Sequence, residues 1–275
     1  MNPLLIPVLA IGAGTFTLGW RIASRPRTWH ALAAAIGLGA VAALPALLFA
    51  AYYLHVFDTA AWFYELRALP GTELAAGPAG FLAGLLHGLV RRHDRLRKAA
   101  GTALLPLGLL VLLAIPYVKM IVRPLSTASL KDRWSKDVCL QSTGATCGPA
   151  AAATLLRRLG IEATERELAE ASYTSSSRTE AWYLVRALRS RGLAVRFVQD
   201  RPQPDALPNM AIAGTRLGGP AGIGHFIAIL DGPDGRYIVG DPLIGRMETT
   251  LATLRQRYYS TGFFIVVTKR RDAPP

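Results

Sequence analysis

The sequence predicts a chain in two parts, an all-α region of four membrane-spanning helices followed by an α+β domain. Three observations predict it. Four apolar runs without Asp, Glu, Lys or Arg lie within residues 1–123. Only four of the 18 acids precede residue 124, and fourteen follow it. Beyond that point three helical patterns come first and short strands afterwards, a layout that suits α+β and not an alternating parallel sheet. The composition narrows the function classes. With 51% hydrophobic residues, 18% charged residues and two cysteines in 275, disorder, a disulfide-built miniprotein and a Cys-rich metal domain are excluded. The net charge of +13 divides into +7 before residue 124 and +6 after it. No tract concentrates it, so nucleic acid is not an expected partner.

The four runs are residues 3–20, 31–57, 74–90 and 99–118. At about 1.5 Å per residue each approaches or exceeds roughly 30 Å of hydrocarbon. The third run is the weakest, being short and Gly-rich, and charge placement supports it. The loop 21–30 holds Arg21, Arg25 and Arg27 without an acid, residues 58–73 net −2, and residues 91–98 net +4. Basic short loops stay in the cytoplasm. Four spans therefore put both ends of the region outside and leave the carboxy-terminal domain extracytoplasmic; an interfacial third segment would put that domain in the cytoplasm. Gly80, Gly84 and Gly88 recur every four residues, a smooth stripe for a close helix neighbour. His55 and His87 read as interfacial histidines, and neither sits in a metal-ligand spacing. No metal and no cofactor is expected.

Residues 124–137 are short, polar and mixed in charge, as in a tether. Helices are expected over 147–159, 165–171 and 178–191, the first closed by Gly160 and the last by Gly192. Strands are expected over 194–199, 210–217, 223–230, 236–240 and 263–268, with a short helix over 251–257.

Cys147 opens the run Cys-Gly-Pro-Ala-Ala-Ala-Ala, where Pro149 suits a first helical turn and the alanines propagate it. A thiol at a helix amino terminus faces unpaired N–H groups and the positive end of the macrodipole, which favour the thiolate that a sulfur nucleophile needs. Gln141 lies six residues upstream in a loop of turn formers; its side-chain amide beside the Cys147 N–H would make two donors for an oxyanion. Asp231-Gly232-Pro233-Asp234-Gly235 reads as a five-residue turn, which sets Leu230 opposite Arg236. Counted back from there, His225 stands directly across from Asp241, on one face and within hydrogen-bonding reach. Nucleophile, oxyanion donor, base and orienter are then all present. Cys139 reads as a structural cysteine, and the glycines of 214–224 as a flexible loop beside the histidine, since they precede a strand and open no helix.

Gln141 through Cys147-Gly148, Gly224-His225-Phe226 and Asp241-Pro242 followed by Gly245 resemble, in order and spacing, the papain-like cysteine peptidases that remove double-glycine leaders from bacteriocins. The resemblance covers roughly residues 138–268, and its ending, residues 258–267 with Gly262 before an apolar strand, is similar too. It implies a papain-like domain with Cys147 as nucleophile, His225 as general base and acid, Asp241 as orienter and Gln141 as oxyanion donor. Thr146 departs from the Asp that usually precedes the nucleophile in transporter-linked members. No G-x-x-x-x-G-K-[ST] motif is present, so ATP-driven export would fall to a separate exporter. The expectation is a membrane-anchored cysteine endopeptidase of a bacterial inner membrane. Its expected partners are a peptide substrate with a small-residue (Gly-Gly or Gly-Ala) junction and the lipid bilayer. The alternatives are a silent peptide-binding module serving a partner transporter, and an acyl transferase using the same triad.

Overall fold

A computed structural model describes residues 2–25, 28–92, 103–232 and 236–269. The basic residues 93–98, Arg27, the start of the fourth apolar run (99–102) and the turn tip 233–235 lie outside the described residues. The chain divides into two units, residues 1–58 with 71–121 and residues 59–70 with 122–275.

Helices α1 (Leu5–Ser24) and α2 (Trp29–Tyr52) lead, through a segment of the second unit that carries α3 (Ala61–Ala68), to α4 (Ala79–Arg92) and α5 (Leu104–Val122). Thr28 caps α2 by accepting the Ala31 N–H. Four helical stretches, Leu5–Ser24, Trp29–Tyr52, Thr72–Arg92 and Leu104–Val122, are long and apolar enough to cross a membrane. The third, weakest in sequence, is 50% buried within its unit, against 17–22% for the others. Its glycine stripe explains why. A Cβ at Gly80 or Gly84 would overlap the carbonyl oxygen of Gly12 or Phe16, so α4 lies backbone to backbone on α1.

In the second unit a hairpin of β1 (Arg133–Ser135) and β2 (Val138–Leu140) precedes α6 (Cys147–Arg158), α7 (Glu165–Ala171) and α8 (Ala181–Arg189). Then come β3 (Leu193–Gln199), β4 (Ala211–Leu217), β5 (Ile223–Asp231), β6 (Arg236–Asp241), β7 (Gly245–Thr250), α9 (Leu251–Arg257) and β8 (Tyr259–Lys269). The last six strands form one antiparallel sheet in the order β3-β8-β4-β5-β6-β7. Helix α6 packs on this sheet through the wholly buried Ala150–Ala153. Small side chains and Gly240, where a Cβ would stand 2.9 Å from Thr154 Cγ2, let the helix come close to β6. Ile227, Ile229, Tyr237 and Val239 pack with Leu254, Tyr258 and Phe264 in one apolar cluster.

Several expectations are corrected. Residues 124–137 are not a free tether: they hold β1, the Ser176 N–H donates to the Arg123 carbonyl, and Arg166 Nη2 donates to the Leu130 carbonyl. The third helix begins at Ala181 and not at 178, because residues 175–178 close a bridged turn. Strands β1, β2 and β7 carry too little apolar alternation to be seen in sequence. The stretch between the second and third spans, read only as an acidic loop, contains α3. Its Phe63 and Tyr64 meet Trp182, and Tyr64 also meets Phe197 and Phe263. Glu65 accepts the Phe197 N–H of the edge strand β3 at 2.7 Å and a bond from Arg189 at 2.6 Å. An edge N–H covered in this way is closed to pairing with another chain.

Candidate active site

Cys147 is the first residue of α6 and is buried. The loop leading to it is laced to itself. Thr146, wholly buried, accepts the Thr143 N–H at 3.1 Å through its hydroxyl, and the Thr146 N–H donates to the Thr143 carbonyl at 3.3 Å. The fully buried Glu165 of α7 holds the same loop, accepting the Ser142 N–H at 2.7 Å and the Ser142 hydroxyl. Gln141, at the head of this loop, donates its backbone N–H to the Pro242 carbonyl at 2.9 Å, which fixes it beside Asp241. Its side-chain Nε2 donates to the Thr143 carbonyl at 2.8 Å, leaving a second hydrogen, and its buried Oε1 has no partner among the described residues.

His225 and Asp241 meet, but by another register than the one expected. Strand β5 continues to Asp231, and a bulge between Ile229 and Asp231 shifts the β5–β6 ladder so that Ala228 faces Gly240 and Ile229 faces Val239. Continued by one step, that ladder sets Asp241 opposite Ile227. His225 is thus a diagonal neighbour two residues along and not the directly opposed residue. A shift of two keeps every side chain on its face. The two groups bond all the same, His225 Nε2 to Asp241 Oδ1 at 2.8 Å, with both side chains buried.

Asp241 is held by three donors. Besides the imidazole, the Leu243 N–H reaches Oδ1 at 2.8 Å and the Tyr258 hydroxyl donates to Oδ2. The turn that brings the Leu243 N–H inward closes at Gly245, whose φ of +99° suits glycine. Burial alone would raise this carboxyl; bonds from His225, Tyr258 and the Leu243 N–H outweigh it and hold the group below the ordinary value. Burial, and then the bond to Asp241, push the Tyr258 phenol up, so it stays a donor.

With Nε2 on Asp241, His225 has Nδ1 left for the Cys147 sulfur. Burial opposes charge on the ring. The hydrogen bond to Asp241, then the neighbouring Cys147 sulfur and the attraction of both groups, overcome it and raise the imidazole to about 9. Imidazole and carboxylate therefore form a bonded pair with the sulfur near enough to act on the ring, an arrangement suited to nucleophilic chemistry at an acyl carbon. For Cys139, buried in β2, burial first, then Glu165 and Asp132, push the thiol up to about 12. Both cysteines are free.

The four residues singled out in sequence thus occur around one point, the chain linking Gln141 to Asp241 through Pro242. Glu165 and Tyr258 were not foreseen. Thr164 and Glu167 form a capping box at the start of α7, a local pattern that marks a helix start and carries no sign of a loop clamp. Tyr258 lies seventeen residues from Asp241, with no local signal joining them.

A model of the Peptidase C39 family matches residues 135–272. An uncharacterised protein of Methanothermobacter marburgensis is 36% identical over 135 residues, 48% of this chain and 88% of that protein. One of Methanothermobacter thermautotrophicus is 33% identical over 138 residues, 49% of this chain and 90% of that protein. Among solved structures, the peptidase domain of the Streptococcus transporter ComA is 19% identical with a TM-score of 0.39, over 48% of this chain and 96% of that one. A double glycine motif protease from an AMS/PCAT transporter, solved with its leader peptide, is 16% identical with a TM-score of 0.40, over 48% of this chain and 91% of that one.

Proposed function

The chain belongs to the peptidase C39 family, and from that premise we propose that it is a membrane-anchored cysteine endopeptidase acting through Cys147, His225 and Asp241. The observation that carries the reading is the buried His225 with its Nε2 on the Asp241 carboxylate, which leaves Nδ1 for the neighbouring Cys147 sulfur. In the reaction the Cys147 thiolate attacks a peptide carbonyl and the carbonyl oxygen takes the negative charge. The helix-start N–H of Cys147 and the remaining Nε2 hydrogen of Gln141 are its donors. His225 protonates the departing amine, and then, as base, takes a proton from the water that releases the acyl-enzyme. Asp241 keeps the ring in the orientation that aims Nδ1 at sulfur and balances the imidazolium while it exists.

The family reading extends to a peptide substrate cut after small residues, as in leaders with a double-glycine junction. The domain division that serves it is a helical membrane region over residues 1–123 and a peptidase domain from about residue 138 onward, with α3 and residues 124–137 built into the latter. Helix α3 also supports an extracytoplasmic location. It lies between the second and third spans yet packs within the peptidase unit, so an even number of crossings separates residue 70 from residue 122. That parity suits four spans with both basic loops in the cytoplasm.

The test is labelling of the full chain in detergent, under reducing conditions, with a peptide aldehyde or vinyl sulfone ending in Gly-Gly. Wild type is expected to label at residue 147; Cys147→Ala is expected not to, and His225→Ala to label far more slowly. A wild-type protein that stays unlabelled while folded would leave a peptide-binding module as the surviving reading.

A further inference from the structure

The segment joining α7 to α8 makes contacts that the reaction described above does not use. Arg178 has a φ of +93°, a backbone region that non-glycine residues rarely adopt. The segment is held there from two directions. Internally, the Arg178 N–H donates to the Ser175 carbonyl at 3.0 Å, and the Arg178 carbonyl accepts the Ser175 N–H at 3.3 Å and the Ser175 hydroxyl at 3.1 Å. Externally, the Ser176 N–H donates to the Arg123 carbonyl at 2.9 Å and Pro124 bridges Ser175, so the segment is tied to the residues that follow α5.

From this fixed base the segment reaches both halves of the site. Arg178 Nη1 donates to the Gly224 carbonyl at 2.6 Å, a charge-assisted bond to the peptide that links Gly224 to His225. Thr215 Oγ1 donates to the His225 carbonyl at 3.0 Å, so side chains fix the peptide planes on both sides of the histidine. The next residue, Thr179, has its Cβ only 3.8 Å from where a Cβ on Gly148 would stand. Two adjacent residues, Thr179 and Arg178, therefore reach from the residue after the sulfur to the residue before the imidazole.

We propose that Arg178 is a positioning residue: through its bond to the Gly224 carbonyl it sets where His225 stands relative to Cys147, with residues 175–179 acting as the strap between the two. This rests on the peptidase reading and adds to it a part that touches neither substrate nor reacting atoms. The positive φ is the cost of aiming the guanidinium across the gap. Gly224 permits the approach, because a Cβ there would meet Nη1 at 3.0 Å.

The experiment is the rate of alkylation of Cys147 by iodoacetamide against pH in the full chain in detergent, followed by mass spectrometry of the residue-147 peptide, with thermal unfolding measured alongside. A thiolate kept by a nearby imidazolium alkylates well below the pH at which a free thiol does. Arg178→Gly removes the guanidinium and relieves the backbone, so its Tm is expected to hold. Its rate near pH 6 is expected to fall about tenfold or more, as small misplacements between reacting groups cost up to about 100-fold. Arg178→Lys, which can still donate to the Gly224 carbonyl, is expected to restore most of the rate. A wild type with an ordinary free-thiol profile overturns the triad and the strap together. A wild type with the shifted profile, matched by Arg178→Gly, overturns the strap alone.

Discussion

Tyr258→Phe isolates one hydroxyl in the buried network behind the histidine. The ring packs unchanged in volume beside Leu254 and Phe264, while Asp241 Oδ2 loses its donor. Asp241 is 1% exposed, so water does not replace the bond. Leaving a buried charged acceptor short of one hydrogen bond costs about 1–3 kcal/mol, and the remaining bonds from His225 and the Leu243 N–H, both on Oδ1, favour the middle of that range. At about 2–4 °C per kcal/mol for a unit of this size, the expected fall in Tm near neutral pH is roughly 4–8 °C. The pH dependence gives the cause. The Asp241 carboxyl titrates below its ordinary 3.8 in the folded protein, so its contribution is present above that value and lost as pH falls through the folded one. Without the phenol the folded carboxyl titrates higher. The gap between wild type and variant should therefore narrow as pH falls from neutral toward 3.8 and below. The assay is thermal unfolding of both full-length proteins in detergent, read by intrinsic fluorescence at several pH values. Equal Tm values at neutral pH, or a gap that widens with acid, would refute the assignment of Tyr258 as a donor to a buried carboxylate.

Glu65→Ala removes the bonds that fasten α3 to the Phe197 N–H of the edge strand and to Arg189 of α8; with the partial exposure of the ion pair discounted, a loss of about 1–2 kcal/mol is expected. Hydrogen exchange at the Phe197 amide should quicken, and an unchanged rate would show that the aromatic contacts and the Arg186 bonds to the Arg67 and Leu69 carbonyls hold α3 without Glu65. Reporter fusions after residues 70 and 130 are expected on the same, extracytoplasmic side, and those after residues 30 and 95 in the cytoplasm; opposite sides for 70 and 130 would break the parity argument. His225, raised from 6.5 to about 9, contributes stability that is complete below 6.5 and is lost as pH rises through about 9. Wild type should thus lose up to about 3 kcal/mol relative to His225→Gln across that window, measured by unfolding at each pH. A flat difference would sink the ion-pair account.

How much of the site was legible in the sequence depends on the range of the interaction. Cys147 at a helix start was legible because helix-start chemistry is local: proline, alanines and a turn-forming loop act on their own neighbours. The glycine stripe of α4 was legible for the same reason, since its spacing alone makes a smooth face. The pairing of His225 with Asp241 came from a turn count that a bulge changes by two residues, and it survived because a shift of two leaves each side chain on its face.

The sequence by itself determined the four apolar stretches, the order of helices before sheet, the place of Cys147 at a helix start, and His225 and Asp241 on one face of neighbouring strands. Only the tertiary structure decided that α3 completes the edge of the peptidase unit, that Glu65 covers the Phe197 N–H, that Tyr258 and Glu165 hold Asp241 and the Gln141 loop, and that Arg178 reaches the histidine strand. Periodicity and turn chemistry are summed over a few adjacent residues, whereas each of these contacts joins elements 17 or more residues apart and forms only when a whole set of packed surfaces settles at once.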